Sequence, residues 1–419
     1  MDLKATLRTN AVTIMFVVLC AVCMIFSGQS VQYVMYEMFS RLSRNAFIVL
    51  ALIIPIVAGM GINFAITIGA MAAQISVLWC IEWNVVGFPG FLLAMAMTVP
   101  LASIFGYLIG KLLNKMKGQE MIGGLILGYF ANGLYQLLFL FIFGNLIPLK
   151  TPGLVIKGST GVANTISLDL GAKGSLKYAL DGIWNLPFVE AMFVVLAITV
   201  LLALVQMKRK KISLEQGFAF LGGSVVIACL LQVSAIRDLF KLVNVPMFTF
   251  LVVGLLCLFN TALMKTRLGQ QFRAVGQNRT VANASGINVD RIRLIAIVIS
   301  TVLAGWGQLI FVQNMGSFQT YGAHEQVGLY AGAAILVGGA SIRKATNSQA
   351  ILGCILFHLL FIVAPPAANS IFGNSAIGEY FRVFISYGVI ALALVMHSWS
   401  SIQKKRKEKK EAQAEVKAE

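Results

Sequence analysis

The sequence predicts an all-α, polytopic membrane helical bundle with ten to twelve apolar segments and both termini cytoplasmic. Three observations carry this. Of 419 residues, 58% are hydrophobic and only 12% charged, with a mean hydropathy of +0.84, whereas an ordinary soluble domain carries about a quarter charged residues. The apolar residues gather in uncharged runs near the roughly 20 residues that a helix needs to cross a bilayer. Lys and Arg fall unevenly between those runs, as in membrane proteins that use positive charge to fix orientation.

The runs cover 11–27, 46–60, 63–80, 91–110, 121–143, 191–207, 216–234, 246–264, 294–312, 327–341, 348–364 and 383–399. Three of them (46–60, 327–341 and 348–364) are short or closely joined to a neighbour and are expected to be half-helices or re-entrant pieces. Such broken spans face a path inside the protein, where freed backbone groups find partners.

Alternate crossings from a cytoplasmic N-terminus place 24 of the 33 Lys and Arg inside. These are Lys4, Arg8, Lys111, Lys115, Lys117, Lys208 to Lys211, the six between Lys265 and Arg293, Arg343, Lys344 and the seven from Lys404 onward. The 16 acidic residues divide eight and eight. The net charge of +17 therefore reads as topology rather than a nucleic-acid footprint, and no nucleic-acid partner is expected.

The organisation that follows is a transmembrane domain over 1–400 with an external loop at about 144–190 and a cytoplasmic loop at about 265–293. The basic stretch 401–419 is expected to be a disordered cytoplasmic tail lying near anionic lipid. Lys4, Arg8 and the following apolar run, closed by Ser27-Gly28, have the form of a signal peptide. With so many runs downstream, this segment is expected as a retained first helix.

Several chemistries find no support. The nearest string to a phosphate-binding loop, Gly106-Tyr-Leu-Ile-Gly110-Lys111-Leu112, is one residue short and lacks the hydroxyl that holds magnesium. The same Gly106/Gly110 pair, with Gly124/Gly128 and Gly328/Gly332, has small-xxx-small spacing and reads as helix packing. The six cysteines, Cys20-Ala-Val-Cys23 included, lie in apolar runs and read as small hydrophobes. The run interiors hold no ionisable group apart from His358, which argues against ion-coupled transport and against acidic channel rings. A membrane enzyme needs clustered Asp, Glu, His or Ser, yet His324, His358 and His397 fall in separate segments. Asn278-Arg-Thr280 and Asn283-Ala-Ser285 match the glycosylation pattern but sit in the loop assigned to the cytoplasm.

The runs do hold uncharged polar groups: Asn63, Thr67, Gln74, Asn132, Gln136 and Gln308. Asn63, Thr67, Gln74, Asn132 and Gln308 are candidate linings of a path for a neutral, hydroxyl-bearing solute. Interhelical hydrogen bonds account for any one of them equally well.

In the loop 265–293, Asn278 is placed to N-cap a short helix from Arg279 to Ser285 that Gly286 stops in the left-handed conformation. Ala282, Ala284 and Gly286 would let a partner approach its backbone, so it reads as a docking knob or as an ordinary loop helix. The surrounding residues Thr266, Arg267, Gly269, Ala274, Gly276, Asn278, Ala282, Gly286, Ile287, Asn288, Val289 and Arg291 resemble the cytoplasmic loop of permease subunits of ABC importers of the ribose, nucleoside and branched-chain amino acid group. Gly61-Ile-Asn-Phe-Ala-Ile-Thr-Ile-Gly69 and Ala334-Ile-Leu-Val-Gly-Gly-Ala-Ser341 are similar to segments of the sugar permeases. Glu120-Met-Ile-Gly-Gly-Leu-Ile-Leu-Gly-Tyr129 resembles a stretch of the nucleoside branch.

The resemblance covers roughly residues 46–400. It departs from the pattern at Asn63, Thr67, Gly128, Val281 and Arg343 to Asn347, and the substrate is where those departures bear. It implies a cell-membrane permease without its own ATPase site, binding no cofactor itself, with ATP used by partner ATPase subunits. The implied partners are two cytoplasmic ATPases, a second permease subunit (identical or homologous) and an external substrate-binding protein. Gly269, Arg273, Gly276, Asn278, Ala282, Gly286, Ile287 and Asn288 are the residues it implies for ATPase coupling. A simple sugar or a nucleoside is the expected solute. A branched-chain amino acid permease and an ATP-independent secondary transporter are the alternatives.

Overall fold

The computed structural model describes residues 11–391 except 152, 157–160, 172–173, 209–213, 242, 385–386 and 389–390. The expected tail 401–419 and most of the run 383–399 lie outside the described residues. The helices are α1 (Ala11–Ser27), α2 (Val31–Ala51), α3 (Ile53–Val57), α4 (Ile66–Glu82), α5 (Gly87–Lys115), α6 (Glu120–Leu137), α7 (Phe188–Lys208), α8 (Leu214–Gln232), α9 (Ser234–Leu239), α10 (Met247–Lys265), α11 (Arg267–Gln277), α12 (Arg279–Ala284), α13 (Val289–Met315), α14 (Val327–Val337) and α15 (Asn347–Phe372). Seven are long and apolar enough to cross a membrane, counting α2 with α3 as one, and four shorter apolar helices accompany them among the described residues. The bundle is all-α and polytopic.

Only one of the three expected broken spans is broken. Residues 46–57 are the inner half of a continuous span from Val31 to Val57, bent where Pro55 supplies no N–H. Residues 348–364 lie within the 26-residue α15. The short element is α14, at 11 residues. A second irregular entry precedes α4, where 58–65 runs without helix between Gly59 and Ile66.

At the centre, α13 packs against α2, α4 and α5. That proximity depends on missing side chains. A Cβ on Gly69 of α4 would lie 2.2 Å from the Thr301 carbonyl oxygen of α13, and Gly106 and Gly110 of α5 face Val298, Thr301 and Leu294 in the same way. Thr98 of α5 donates to Ser76 of α4 at 3.1 Å, and both are fully buried.

The two ends of the bundle differ. One carries two short antiparallel pairs, β1 (Thr165–Ser167) with β4 (Ser317–Gln319) and β2 (Asn185–Pro187) with β3 (Asn244–Pro246). There the Lys150 and Thr151 amides donate to the Glu82 carboxylate at 2.7 and 3.1 Å, seating the 144–190 stretch on the end of α4. Asp181 of this stretch is buried, accepting from Thr249 and, at 2.7 Å, from Asn314. The opposite end carries the loop 265–293.

Gly69→Ala is expected to destabilise the protein by about 1–3 kcal/mol through overpacking, whereas Gly254→Ala, with nothing within 4 Å of the added carbon, should be neutral or slightly stabilising. Thermal unfolding of the purified variants checks this.

Candidate functional site: a loop helix tied to a polar cavity

The loop 265–293 is built from its caps inward. The Thr266 hydroxyl accepts from the Gly269 amide at 3.3 Å and starts α11. The Asn278 side-chain oxygen accepts from Thr280 and Val281 at 3.0 and 3.2 Å and starts α12. Asn288 accepts from Arg291 at 3.0 Å and starts α13. Gly286, at φ +79°, ends α12 in a conformation that an L side chain resists.

The glycines here are contact points. A Cβ on Gly276 would lie 2.1 Å from the Val57 carbonyl oxygen, so α11 touches the end of α3 backbone to backbone. Gly269 lies against Leu263 and Met264 in the same way, and Arg273 donates to the Met264 carbonyl at 2.7 Å. Gly269, Arg273, Gly276, Asn278, Ile287 and Asn288 thus shape the loop. Ala282 is buried at 3% exposure; its small side chain fits the chain's own interior instead of leaving room for a partner. The exposed surface of α12 is Thr280, Val281, Asn283 and Ala284, with Val281 60% exposed.

Beneath α12 lies an ion cluster that sequence spacing cannot show, because Glu120 is 173 residues from Arg293. The buried Glu120 begins α6. One of its oxygens accepts from Arg279 of α12 at 2.8 Å and from Arg293 of α13 at 2.5 Å. Arg279 also donates to the Gly59 carbonyl at 2.8 Å. Arg293 is fully buried, and its Nε and Nη1 have no partner. A charge so placed depends on its counterion, since removing one partner of a buried pair costs about 3–5 kcal/mol. Beside the cluster is a cavity of about 620 Å³ rimmed by Lys117, Thr280, Asn283 and Asp290.

Twelve residues beyond Glu120, roughly 18 Å along the helix axis, α6 reaches a second cavity. It has about 120 Å³ and is bounded by Phe64 and Thr67, by Tyr129 and Asn132 of α6, and by His324 to Gln326 ahead of α14. His324 is fully buried. Its Nδ1 lies 2.9 Å from Gln74 Oε1 and its Nε2 2.8 Å from Asn132 Oδ1. The Asn132 amide donates to Glu325 at 2.9 Å, and the Tyr135 hydroxyl donates to Gln74 at 2.7 Å.

The carboxylate can only accept, so it turns the Asn132 NH₂ toward itself and the Asn132 carbonyl toward His324. A neutral imidazole then carries its proton on Nε2. Turning the Gln74 amide by 180°, a free choice of assignment, would present its NH₂ to the Nδ1 lone pair and to the Tyr135 oxygen, which would then accept instead of donate, and would put Oε1 where the unpartnered Nε2 stands.

Of the five polar residues singled out for a path, Thr67 and Asn132 line this cavity. Gln74, fully buried, supports His324 from behind. Gln308, also fully buried, donates to the Ala323 carbonyl at 3.3 Å and holds the 320–326 stretch. Asn63 accepts from the Ala65 amide at 3.2 Å within the entry to α4. His358 is the ionisable group expected within the runs, and the structure adds two from outside them. His324 and Glu325 lie at the depth of Asn132 because the chain dips into the bundle after β4, and hydropathy, blind to a short polar dip, assigns that stretch to a connection. His358 packs edge-on against Phe361. Among the described residues no group of three or more His, Cys, Asp or Glu could hold a metal ion.

No solved structure matches the chain. Among curated proteins, the probable ABC transporter permease protein YphD of Escherichia coli (strain K12) is 30% identical over 29% of this chain and 36% of its own length. The nucleoside ABC transporter permease protein NupC of Lactococcus lactis is 31% identical over 30% of this chain and 37% of its own. The ribose import permease protein RbsC of Escherichia coli (strain K12) is 30% identical over 32% of this chain and 40% of its own. The chain therefore spans well under half the length of these relatives. The profile of the family described as branched-chain amino acid transport system / permease component matches residues 34–394. With most of its length inside that match, the chain belongs to this family of ABC-transporter permease components, multi-pass membrane subunits that carry no ATPase site of their own.

Proposed function

We propose that the chain forms the translocation path of an ATP-driven importer for a neutral polar solute, a simple sugar or a nucleoside. The observation that carries this is Arg279. A single guanidinium joins the exposed loop helix α12 both to Glu120, the first residue of the cavity-lining helix α6, and to Gly59, the start of the segment that leads to Phe64 and Thr67. Force applied to α12 reaches both walls of the cavity through two charge-assisted hydrogen bonds.

In this account the end bearing loop 265–293 faces the cytoplasm, as do both termini, and an ATPase subunit docks on Val281 and its exposed neighbours. A second permease subunit packs across the path, and an external binding protein delivers solute at the end bearing the short strands. ATP-driven closure displaces α12, and the cavity changes its side of opening because the two nucleotide states bind the two conformations unequally. The names of the ribose and nucleoside relatives support the solute class.

One observation favours the second account, a secondary transporter: His324 and Glu325, both ionisable side chains, line the cavity, where coupling groups of pumps sit. Uptake that survives loss of ATPase activity and collapses with the ion gradient would select it.

Three outcomes check the importer account. Val281→Asp should abolish ATP-dependent uptake without lowering the unfolding temperature, because it alters only exposed surface. Arg279→Gln should leave ATP hydrolysis by the assembled transporter intact while uptake falls at least tenfold, whereas Glu120→Gln should in addition lose about 3–5 kcal/mol of stability by stranding Arg293. In a background lacking the native cysteines, Asn132→Cys should react with a membrane-impermeant thiol reagent, with a rate that changes when nucleotide is bound.

A further inference from the structure

The cavity fixes more than polarity. Its free polar groups are those without a partner among the described residues. Glu325 is exposed, and only its Oε1 is engaged, by Asn132, leaving Oε2 open. The hydroxyl of Tyr129, which is 67% exposed, and the amide of Gln326 complete the set. Thr67 is already committed, donating to the Phe64 carbonyl at 2.7 Å. Among the described residues no Lys or Arg lines the cavity, and both ring nitrogens of His324, the basic side chain there, are engaged. The remaining source of positive potential is the first turn of α14, where the amides of a helix start favour an anion; Glu325 stands two residues before it and supplies that negative charge itself.

We infer that Glu325 is the specificity-determining residue of the path, a fixed carboxylate that accepts hydroxyl or N–H donors from a neutral solute and turns away carboxylates and phosphates. The inference rests on the path assignment above and decides among its solutes. A sugar or nucleoside brings adjacent hydroxyls that a carboxylate oxygen can accept, with Tyr129 as an aromatic face beside them. A free branched-chain amino acid brings an ammonium, which Glu325 could receive, together with a carboxylate, for which no Lys or Arg lines the cavity among the described residues. Like charges at close range in a low-dielectric site repel strongly, and discrimination built from such a mismatch exceeds what fit alone provides.

The chain of contacts behind Glu325 gives it a second property. Gln74, His324 and Asn132 are held in one orientation because the chain ends on a pure acceptor. Replacing the carboxylate by an amide supplies a donor at the end and lets Asn132 turn, so Glu325→Gln changes the presented pattern without changing size.

The test is uptake by cells carrying the full transporter, with radiolabelled uridine, ribose, leucine and uridine 5′-monophosphate as probes. The expected result is uptake of uridine or ribose and none of leucine or the monophosphate. Glu325→Gln should cut that uptake at least tenfold at unchanged membrane abundance, with Glu325→Asp retaining more than the amide. Transport of leucine or the monophosphate in preference to both neutral probes, or an unimpaired Glu325→Gln variant, would overturn the inference. Tyr129→Cys modified with a bulky thiol reagent separates the two levels. If modification blocks uptake while Glu325→Gln is silent, the path stands and the carboxylate's role falls; if modification has no effect, the path assignment itself has failed.

Discussion

Glu120 holds Arg279 and Arg293, and the junction of α6 with α12 and α13 depends on that single carboxylate. Arg293 is buried in the central helix and has no other anion within bonding distance among the described residues, so the cluster has to form for α13 to sit where it does. Arg279 belongs to the exposed loop helix and completes the cluster from outside. A buried ion group of this kind contributes little net stability compared with apolar packing. What it contributes is register, since α6 meets the adjoining α12 and α13, 173 residues on at Arg293, at one oxygen atom.

Around this point the backbone itself makes the contacts. Gly276 against Val57, and Gly59 against Gly276, leave no room for a Cβ between the loop and the entry to α4. A displaced loop therefore moves its neighbour instead of compressing side chains between them. Deeper in the bundle, Gly69 holds α4 against α13 as closely, and Gly106 brings α5 near it, with an added Cβ 2.2 and 3.0 Å from α13 backbone atoms; such close-packed interfaces shift as units. The irregular stretches 58–65 and 320–326 bring Phe64 and His324 to Gln326 to the cavity, which is where unpaired backbone at membrane depth can be tolerated.

Much of the fold was legible because hydropathy and charge are additive along the chain. The long spans, the N-cap at Asn278 and the left-handed stop at Gly286 all follow from local chemistry. The half-helix Val327–Val337 was legible for the same reason, being too short to cross. The misassigned halves, 46–60 and 348–364, belong to longer helices because α2 runs on through Asn45, which reaches the bundle's inner pocket, and α15 runs on through Pro365 and Pro366 to Phe372. In the site, Thr67 and Asn132 were recoverable as polar groups in apolar runs. His324 and Glu325 were not, because their stretch is short, polar and without period, and depth comes from tertiary packing alone. The inward direction of Ala282 was equally hidden, since a six-residue helix has too few turns to declare a face.

The central claim is that motion of the loop helix reaches the cavity wall through Glu120. Its most direct test is a distance measurement on the assembled transporter, with spin labels at position 129 on the cavity wall and at position 169 in the exposed layer at the opposite end. The account predicts that the separation changes by several ångström, the scale of a helix shift, between nucleotide-free and ATP-trapped states, and that the change disappears in Arg279→Gln. An identical distance distribution in both states of the unsubstituted protein would contradict it.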